Sequence, residues 1–470
     1  MTVTSDRADG GPTDGDRAGG SHLPSGAQPR AFGSVEVLRS ARRLRATTVE
    51  IDPGSLPDIV RAGGGGPNRS LWSRSDLSLL GVGVALRLPL RPGWVDPANT
   101  SFVGEVLRAI ATTDDIERSG SGPLAMGSLA YDPASGSDLR VPRLVVGHRP
   151  QVAWATLVAP SGAAVPPAEV RRTVEAQLAE LRSEARPCGE PPDSFELTAS
   201  MSHGQWKELV RRAVGQMEQG AFDKIVLARK VDVVANRPFV LHEVLARLAS
   251  LYPSCTVFHF DGFIGASPET LIRRTGRDIL SHPLAGTVAR SGDSDTDEAL
   301  LAGLMASAKD RREHQLVVDA ITAQLGPLCS RLEVPAAPSV LALRNVSHLG
   351  TAITGILSDA SGQSSQVATG LELAAVLQPT PAVGGHPTVS TLRWQRDNEG
   401  FQRGGYAGPV GWADTRGDGE WVLGLRSANL SGGQAALYAG SGIVVGSDPD
   451  TELAETQLKL QALLAALVRP

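Results

Sequence analysis

Residues 308–320, AKDRREHQLVVDA, pass without a break from a charge run into an apolar stretch. On a helix, Glu313 shares a face with Leu316, Val317 and Ala320, at positions i+3, i+4 and i+7. Lys309, Asp310, Arg311 and Arg312 can sit in water at little cost. A carboxylate on the apolar stripe needs a reason. The spacing predicts a long helix over 296–327, set among alternating strand-like and helix-like segments. Upstream, helices over 203–220 and 240–251 flank the strand KIVLARKVDVVA (224–235), and CTVFHF (255–260) and GFIGAS (262–267) read as further strands. Downstream come strands near 340–357 and a helix near 363–377. The strand-like segments GGYAGPVGWA (404–413), EWVLGLRSANL (420–430) and QAALYAGSGIVVGS (434–447) then lead to a last helix over 449–467.

In the first half, LGVGVALRLPL (80–90) and RLVVGHRPQVAWATLVA (143–159) are strand-like, and 166–185 is helical through Val170, Val174, Leu178 and Leu181. AGGGGPNRS (62–70) reads as a flexible loop and RPCGEPPDS (186–194) as a turn or linker. Mixed strands and helices without a repeat predict a large α/β or α+β domain. The expected divisions are a disordered, Gly/Asp-rich extension over 1–30, an N-terminal part of the domain over 31–195, and the catalytic region over 196–470.

At 470 residues, 41% hydrophobic and 20% charged, the chain can bury a sizeable core. A net charge of −5 lacks the basic signature of a nucleic-acid binder. Cys188, Cys255 and Cys329 are too scattered for a disulfide framework or a zinc site, which points to a reducing cytoplasm. The N-terminus has no apolar core of a secretory signal, and no stretch approaches the roughly 20 apolar residues of a membrane span. Neither a Walker A nor a dinucleotide fingerprint occurs.

Several residues bear on chemistry. Asp448 and Pro449 suit the N-cap and first position of the last helix, which places Glu452, Glu455 and Lys459 on one face. Glu452 there can simply complement the helix dipole, but Glu455 lies beyond its reach. Glu313 and Glu455 together could hold Mg²⁺, which favours one or two carboxylates, although lone carboxylates on two helices are common at surfaces. Lys224 opens a strand. It either reaches to solvent or, desolvated beside cations, serves as a base. Glu269, behind Pro268, is either a turn cap or a carboxylic acid kept protonated. Arg426 alternates with apolar neighbours on an expected buried strand, where it needs an anionic partner. LAGTVAR and YAGSGIVVGS read as small-residue turns whose amides can approach an anion. His348 could be a core histidine or a site residue.

Nine segments occur together and in one order: FDKIVLAR, GASPETLI, HPLAGT, KDRREHQLVVD, LRNVSHLGT, LQPTPAVGGHP, RGGYAGPVGW, LRSANL and YAGSGIVVGSDPDTELAETQLK. Across residues 200–468 the chain thereby resembles the chorismate-utilising enzymes, which comprise the isochorismate, salicylate, anthranilate and aminodeoxychorismate synthases. The resemblance implies two large, mostly antiparallel sheets flanked by helices around a central cleft, a monomer, chorismate as substrate and Mg²⁺ as cofactor. By position, Glu313 and Glu455 match the metal ligands, with Glu452 and Asp310 nearby. Gly440, Ser441 and Gly442 match a carboxylate-binding turn, and Arg426 and Tyr406 match groups reaching the other carboxylate. Lys459 matches a lysine near the metal, and Ala285, Gly286, Thr287 and His348 fall in matching substrate segments.

Lys224 matches the base of members that add water, with Glu269 as the acid. Ala285 stands where aminodeoxychorismate synthases carry a nucleophilic lysine. No glutamine-hydrolysing module is present, so no amidotransferase partner is expected. The expectation is isochorismate synthase, an isomerase. Salicylate synthase is the nearest alternative, with anthranilate synthase component I behind it, and both menaquinone and siderophore formation stay open as destinations.

Overall fold

A computed structural model describes residues 32–162, 167–184, 190–359 and 367–468. The expected extension over 1–30 and part of the 186–194 linker, with Cys188, lie outside the described residues. The chain builds sheets of thirteen, nine and three strands. Among the described pairs only Leu44–Ile51 with Ala111–Asp114 is parallel, so the antiparallel expectation holds. The large sheet interleaves both halves of the chain: Thr256–Phe260 pairs with Phe263–Ser267 on one side and with Arg69–Arg74 on the other.

The layers follow from which side chains alternate inward. Trp72, Trp154 and Phe258 of the large sheet meet Val410, Trp412 and Val422 of the nine-stranded sheet in one apolar cluster. Helices Leu241–Leu251, Pro167–Glu184 and Pro449–Val468 cover the outer face of the large sheet. Helices Pro97–Ala109, Ala308–Leu325 and Gly370–Leu377 pack within the cluster that includes Leu271, Ile272 and Trp421 of the second sheet. No helix among the described residues is long and apolar enough to cross a membrane.

Most expected elements are present, and four are redrawn. The long helix of 296–327 is two, Ser294–Ala306 and Ala308–Leu325. Ser307 between them is extended and its hydroxyl accepts from Asp310 N at 3.2 Å, so one N-cap both ends a helix and starts the next. The 363–377 helix is Gly370–Leu377, opened by a Thr369/Glu372 capping box, and 360–366 lie outside the described residues. Residues 62–70 end the Ile59–Ala62 helix and already enter the Arg69–Arg74 strand. Residues 420–430 are two strands, Gly419–Leu423 in the second sheet and Ser427–Ser431 in the first. The chain crosses between the sheets at Gly424–Arg426, and Arg426 takes φ +44°, a left-handed conformation costly for a residue with a side chain.

Candidate active site

The strand Lys224–Ala235 pairs along its length with Gln434–Val444, and residues 224–229 are buried on both faces. That removes the solvent-reaching reading of Lys224, which is fully buried. Its Nζ lies 3.0 Å from Glu313 Oε1 and makes no well-aligned hydrogen bond. Glu313 is at the margin of its helix's buried face. The buried stripe is His314, Val317, Val318, Ile321 and Leu325, one position round from the stripe expected. Glu313 therefore points along the edge of the core, towards Lys224.

A cavity with about 920 Å³ of empty space opens there. Glu269, Glu313, Glu452, Glu455, Asp310, Lys459, Arg426, Tyr406, His348, Gly440, Gly442 and the 285–287 segment all line it. Two of the expected residues do not. Lys224 stands one layer behind, its Cε 3.3 Å from where a Cβ on Gly442 would lie. Ser441 points the other way and its hydroxyl donates to Glu452 Oε2. The structure adds Lys309, Tyr438, Ala382 and Val383 to the lining.

The expected small-residue turns are strands. Leu284–Ala289 pairs with Val346–Gly350 and is offset at Gly286, whose φ of +78° turns the backbone beside Asp310. Gly440 and Gly442 lie inside Gln434–Val444. Their lack of a side chain is needed: a Cβ on Gly440 would meet Tyr406 Oη at 2.9 Å, and one on Gly442 would meet Glu313 Oε1 at 2.3 Å. Pairing with Ser427–Ser431 stops at Leu437, so among the described residues that edge of 438–444 has no strand partner, and it faces the cavity. Lys459 Nζ donates to Gly440 O on it at 2.9 Å.

Glu269 follows the strand Phe263–Ser267 and is 4% exposed. Burial raises its carboxyl from 4.5 to about 8, against the opposing pull of a backbone hydrogen bond, Lys224, Lys459 and Arg426. It is a protonated acid at neutral pH. Arg426 Nη2 lies 2.8 Å from His348 Nε2, and His348 Nδ1 lies 3.0 Å from Thr287 Oγ1. Arginine only donates, so Nε2 accepts and the ring proton sits on Nδ1, donated to Thr287. Burial first, then Arg426 and Lys459, hold His348 well below its usual range and hence neutral. Among the described residues, Arg426 Nε is buried without a hydrogen-bond partner.

The acidic set has its own logic. Lys309 Nζ donates to Glu452 Oε1 at 3.2 Å, and Lys459 Nζ donates to Glu455 Oε1 at 2.6 Å. With the Lys224–Glu313 pair, three carboxylates each face one lysine. Among the described residues no three His, Cys, Asp or Glu side chains gather at ligation spacing. Glu455 is nevertheless raised, by burial first and then by repulsion from Glu452, while Glu313 adds to the same effect. A shared divalent cation would relieve that repulsion, so the donor set suits a hard cation.

Sequence reasoning missed His314, fully inside the helix stripe, with Nε2 2.7 Å from Thr351 Oγ1 and its titration pushed down to about 4 by burial and Lys224. It also missed the support behind Tyr406. Arg403, paired with Glu399, lies 4.3 Å over the Tyr131 ring and 6.0 Å from that of Tyr406, and donates to Val226 O. The Arg403-x-x-Tyr406 spacing was visible, but only the fold turns it into a brace.

The family model described as chorismate binding enzyme matches residues 39–468. The chain is 35% identical to the salicylate biosynthesis isochorismate synthase of Pseudomonas aeruginosa, over 95% of this chain and 94% of that one. It is 36% identical to the isochorismate synthase DhbC of Bacillus subtilis, over 74% and 81%. The solved structure of MenF, the menaquinone-specific isochorismate synthase of Escherichia coli, superposes with a TM-score of 0.71 at 26% identity, covering 93% of this chain and 99% of that one. The chain belongs to the chorismate-binding enzyme family.

Proposed function

We propose that this member of the chorismate-binding enzyme family is an isochorismate synthase. The observation that carries the reading is a carboxylic acid kept protonated at a cavity also lined by a buried arginine, with a fully buried lysine one layer behind the cavity wall. Arg426 and the open edge of residues 438–444 offer donors to the two carboxylates of chorismate. Lys224, in its neutral form, takes a proton from a water whose oxygen bonds to C2. The two ring double bonds shift, the C4–O bond breaks, and Glu269 gives its proton to the departing hydroxyl. Each transfer contributes around 10²–10⁴-fold.

Glu313 and Glu455 would hold Mg²⁺, with Glu452 and Asp310 nearby. When bound, the ion supplies positive charge that fixes and polarises a substrate carboxylate. Apolar Val226, Ala382, Val383 and Leu425 keep bulk water from the ring.

The testing experiment incubates purified protein with chorismate and Mg²⁺ and identifies products by chromatography. Isochorismate should accumulate without salicylate. Salicylate as the end product would make the protein a salicylate synthase, and anthranilate formation on adding ammonium would place it in the amine-adding branch.

A further inference from the structure

Helix Thr388–Asn398 buries Thr391 and Gln395, and Glu399 caps its end, so one stripe at i+4 spacing is polar and faces inward. Four residues on, Arg403 is buried as well. Buried polar side chains need partners, and these find them on the strand that opens with Lys224. Along one edge of that strand, Gly385–His386 pairs only with Lys224 and Ile225, and pairing with Phe195–Ala199 begins only at Val231. Among the described residues no strand covers that edge over 226–230.

Side chains cover it instead. Val226 O accepts from Gln395 Nε2 at 2.8 Å and from Arg403 Nη2 at 2.7 Å, and Ala228 N donates to Glu399 Oε1 at 2.9 Å. Arg403 Nε donates to Glu399 Oε2 at 2.8 Å, and Nη2 donates to Oε1 of the same carboxylate, a two-pronged pairing. The adjoining segment is held by the same groups: Arg403 Nη1 donates to Val383 O at 2.9 Å, and Gln395 Nε2 to Gly384 O at 2.9 Å. Gln395 Oε1 in turn accepts from Tyr131 Oη at 2.7 Å. Buried backbone groups without partners are costly, and a strand without lateral bonds is free to shift. Val226 and Val383 line the substrate cavity, and Lys224, two residues from Val226, projects from the same face of the strand. None of Gln395, Glu399 and Arg403 lines that cavity.

We propose that Gln395, Glu399 and Arg403 are positioning residues for Lys224: they stand in for the missing strand and hold in place the segment that presents its amine. The inference rests on Lys224 as the base. Displacing a reacting group by about 1 Å costs about 10²-fold in rate, so bonds two residues away are close enough to matter.

Steady-state kinetics on the full chain, at a temperature where circular dichroism shows each variant folded, test this. Arg403→Lys keeps the charge beside Glu399 but cannot reach both carbonyls, and should lower kcat about 10²-fold. Gln395→Met leaves the ion pair intact and should lower kcat about tenfold, with KM for chorismate moving less than about threefold in both. It decides the matter where Arg403→Lys does not fold. Arg396→Ala, on the same helix but bonded to Asp132 at the surface, should leave kcat unchanged. In a Lys224→Met background either substitution should cost less than about twofold more, because the group it positions is gone. Equal losses in both backgrounds, or a folded Gln395→Met with parental kcat beside an inactive Lys224→Met, would overturn the positioning alone. Near-parental kcat in Lys224→Met would overturn the base reading and the positioning with it.

Discussion

Replacing Glu269 by glutamine separates two consequences of its burial. The folded protein holds this carboxyl near 8, whereas an unfolded chain holds it near 4.5. With the folded value raised, the group's stabilising contribution is complete below pH 4.5 and is lost as pH rises through about 8. At pH 7 the unfolded chain ionises freely while the folded one stays protonated. The penalty is about 3–4 kcal/mol, from roughly 1.4 kcal/mol for each of the 2.5 pH units between 4.5 and 7.

Glutamine copies the shape of the neutral acid and never pays that penalty. Glu269→Gln should therefore be more stable than the parent by about 4 kcal/mol at pH 7.5–8, and the gap should close towards pH 4.5. Urea unfolding at several pH values measures it. Turnover should fall by about 10²–10⁴-fold because no proton is available for the leaving hydroxyl. In the parent, the rate should decline as pH rises through about 8, where the acid ionises. A stability difference that does not change with pH, or a variant less stable at pH 8, would refute the buried-acid argument.

Lys224→Met keeps the volume of a fully buried side chain while removing its amine. It should lower kcat about 10²–10⁴-fold with an unchanged circular dichroism spectrum, and near-parental kcat would remove Lys224 as the base. Arg426→Gln deletes a buried charged donor at the cavity and the hydrogen bond to His348, and tests the proposed contact to the substrate. KM for chorismate should rise about 10–100-fold, more than kcat falls, as steady-state kinetics would show. Gly442→Ala puts a Cβ 2.3 Å from Glu313 Oε1, so that carboxylate has to move. Mg²⁺ affinity read by calorimetry should weaken about tenfold or more, and unchanged affinity would take Glu313 out of the metal set.

Residues that gather at the cavity were legible because they break local patterns. Glu313 interrupts a stripe, Glu455 lies past the reach of its helix dipole, and Lys224 opens a strand whose next four residues are apolar. Local rules failed where two segments meet. Ser307 looks like an ordinary helix interior position, and only the geometry of its two helices makes it a cap. Segment 420–430 has the composition of one strand, yet it bridges two sheets at Arg426. His314 is invisible to a reading that expects polar residues on the solvent side. The glycines at 440 and 442 suggested a turn, but they belong to a strand pressed against Tyr406 and Glu313.

The sequence by itself determined most of the strand and helix segments, and the order of motifs that marks the family, because periodicity and side-chain chemistry act over a few residues. Only the tertiary structure decided the protonation states and the neighbours. Glu269 is an acid near 8 because it is buried, His348 is neutral because it is buried and faces Arg426 and Lys459, and Lys224 meets Glu313 across 89 positions of chain. Desolvation and Coulomb interactions depend on distance in space, which local sequence does not specify.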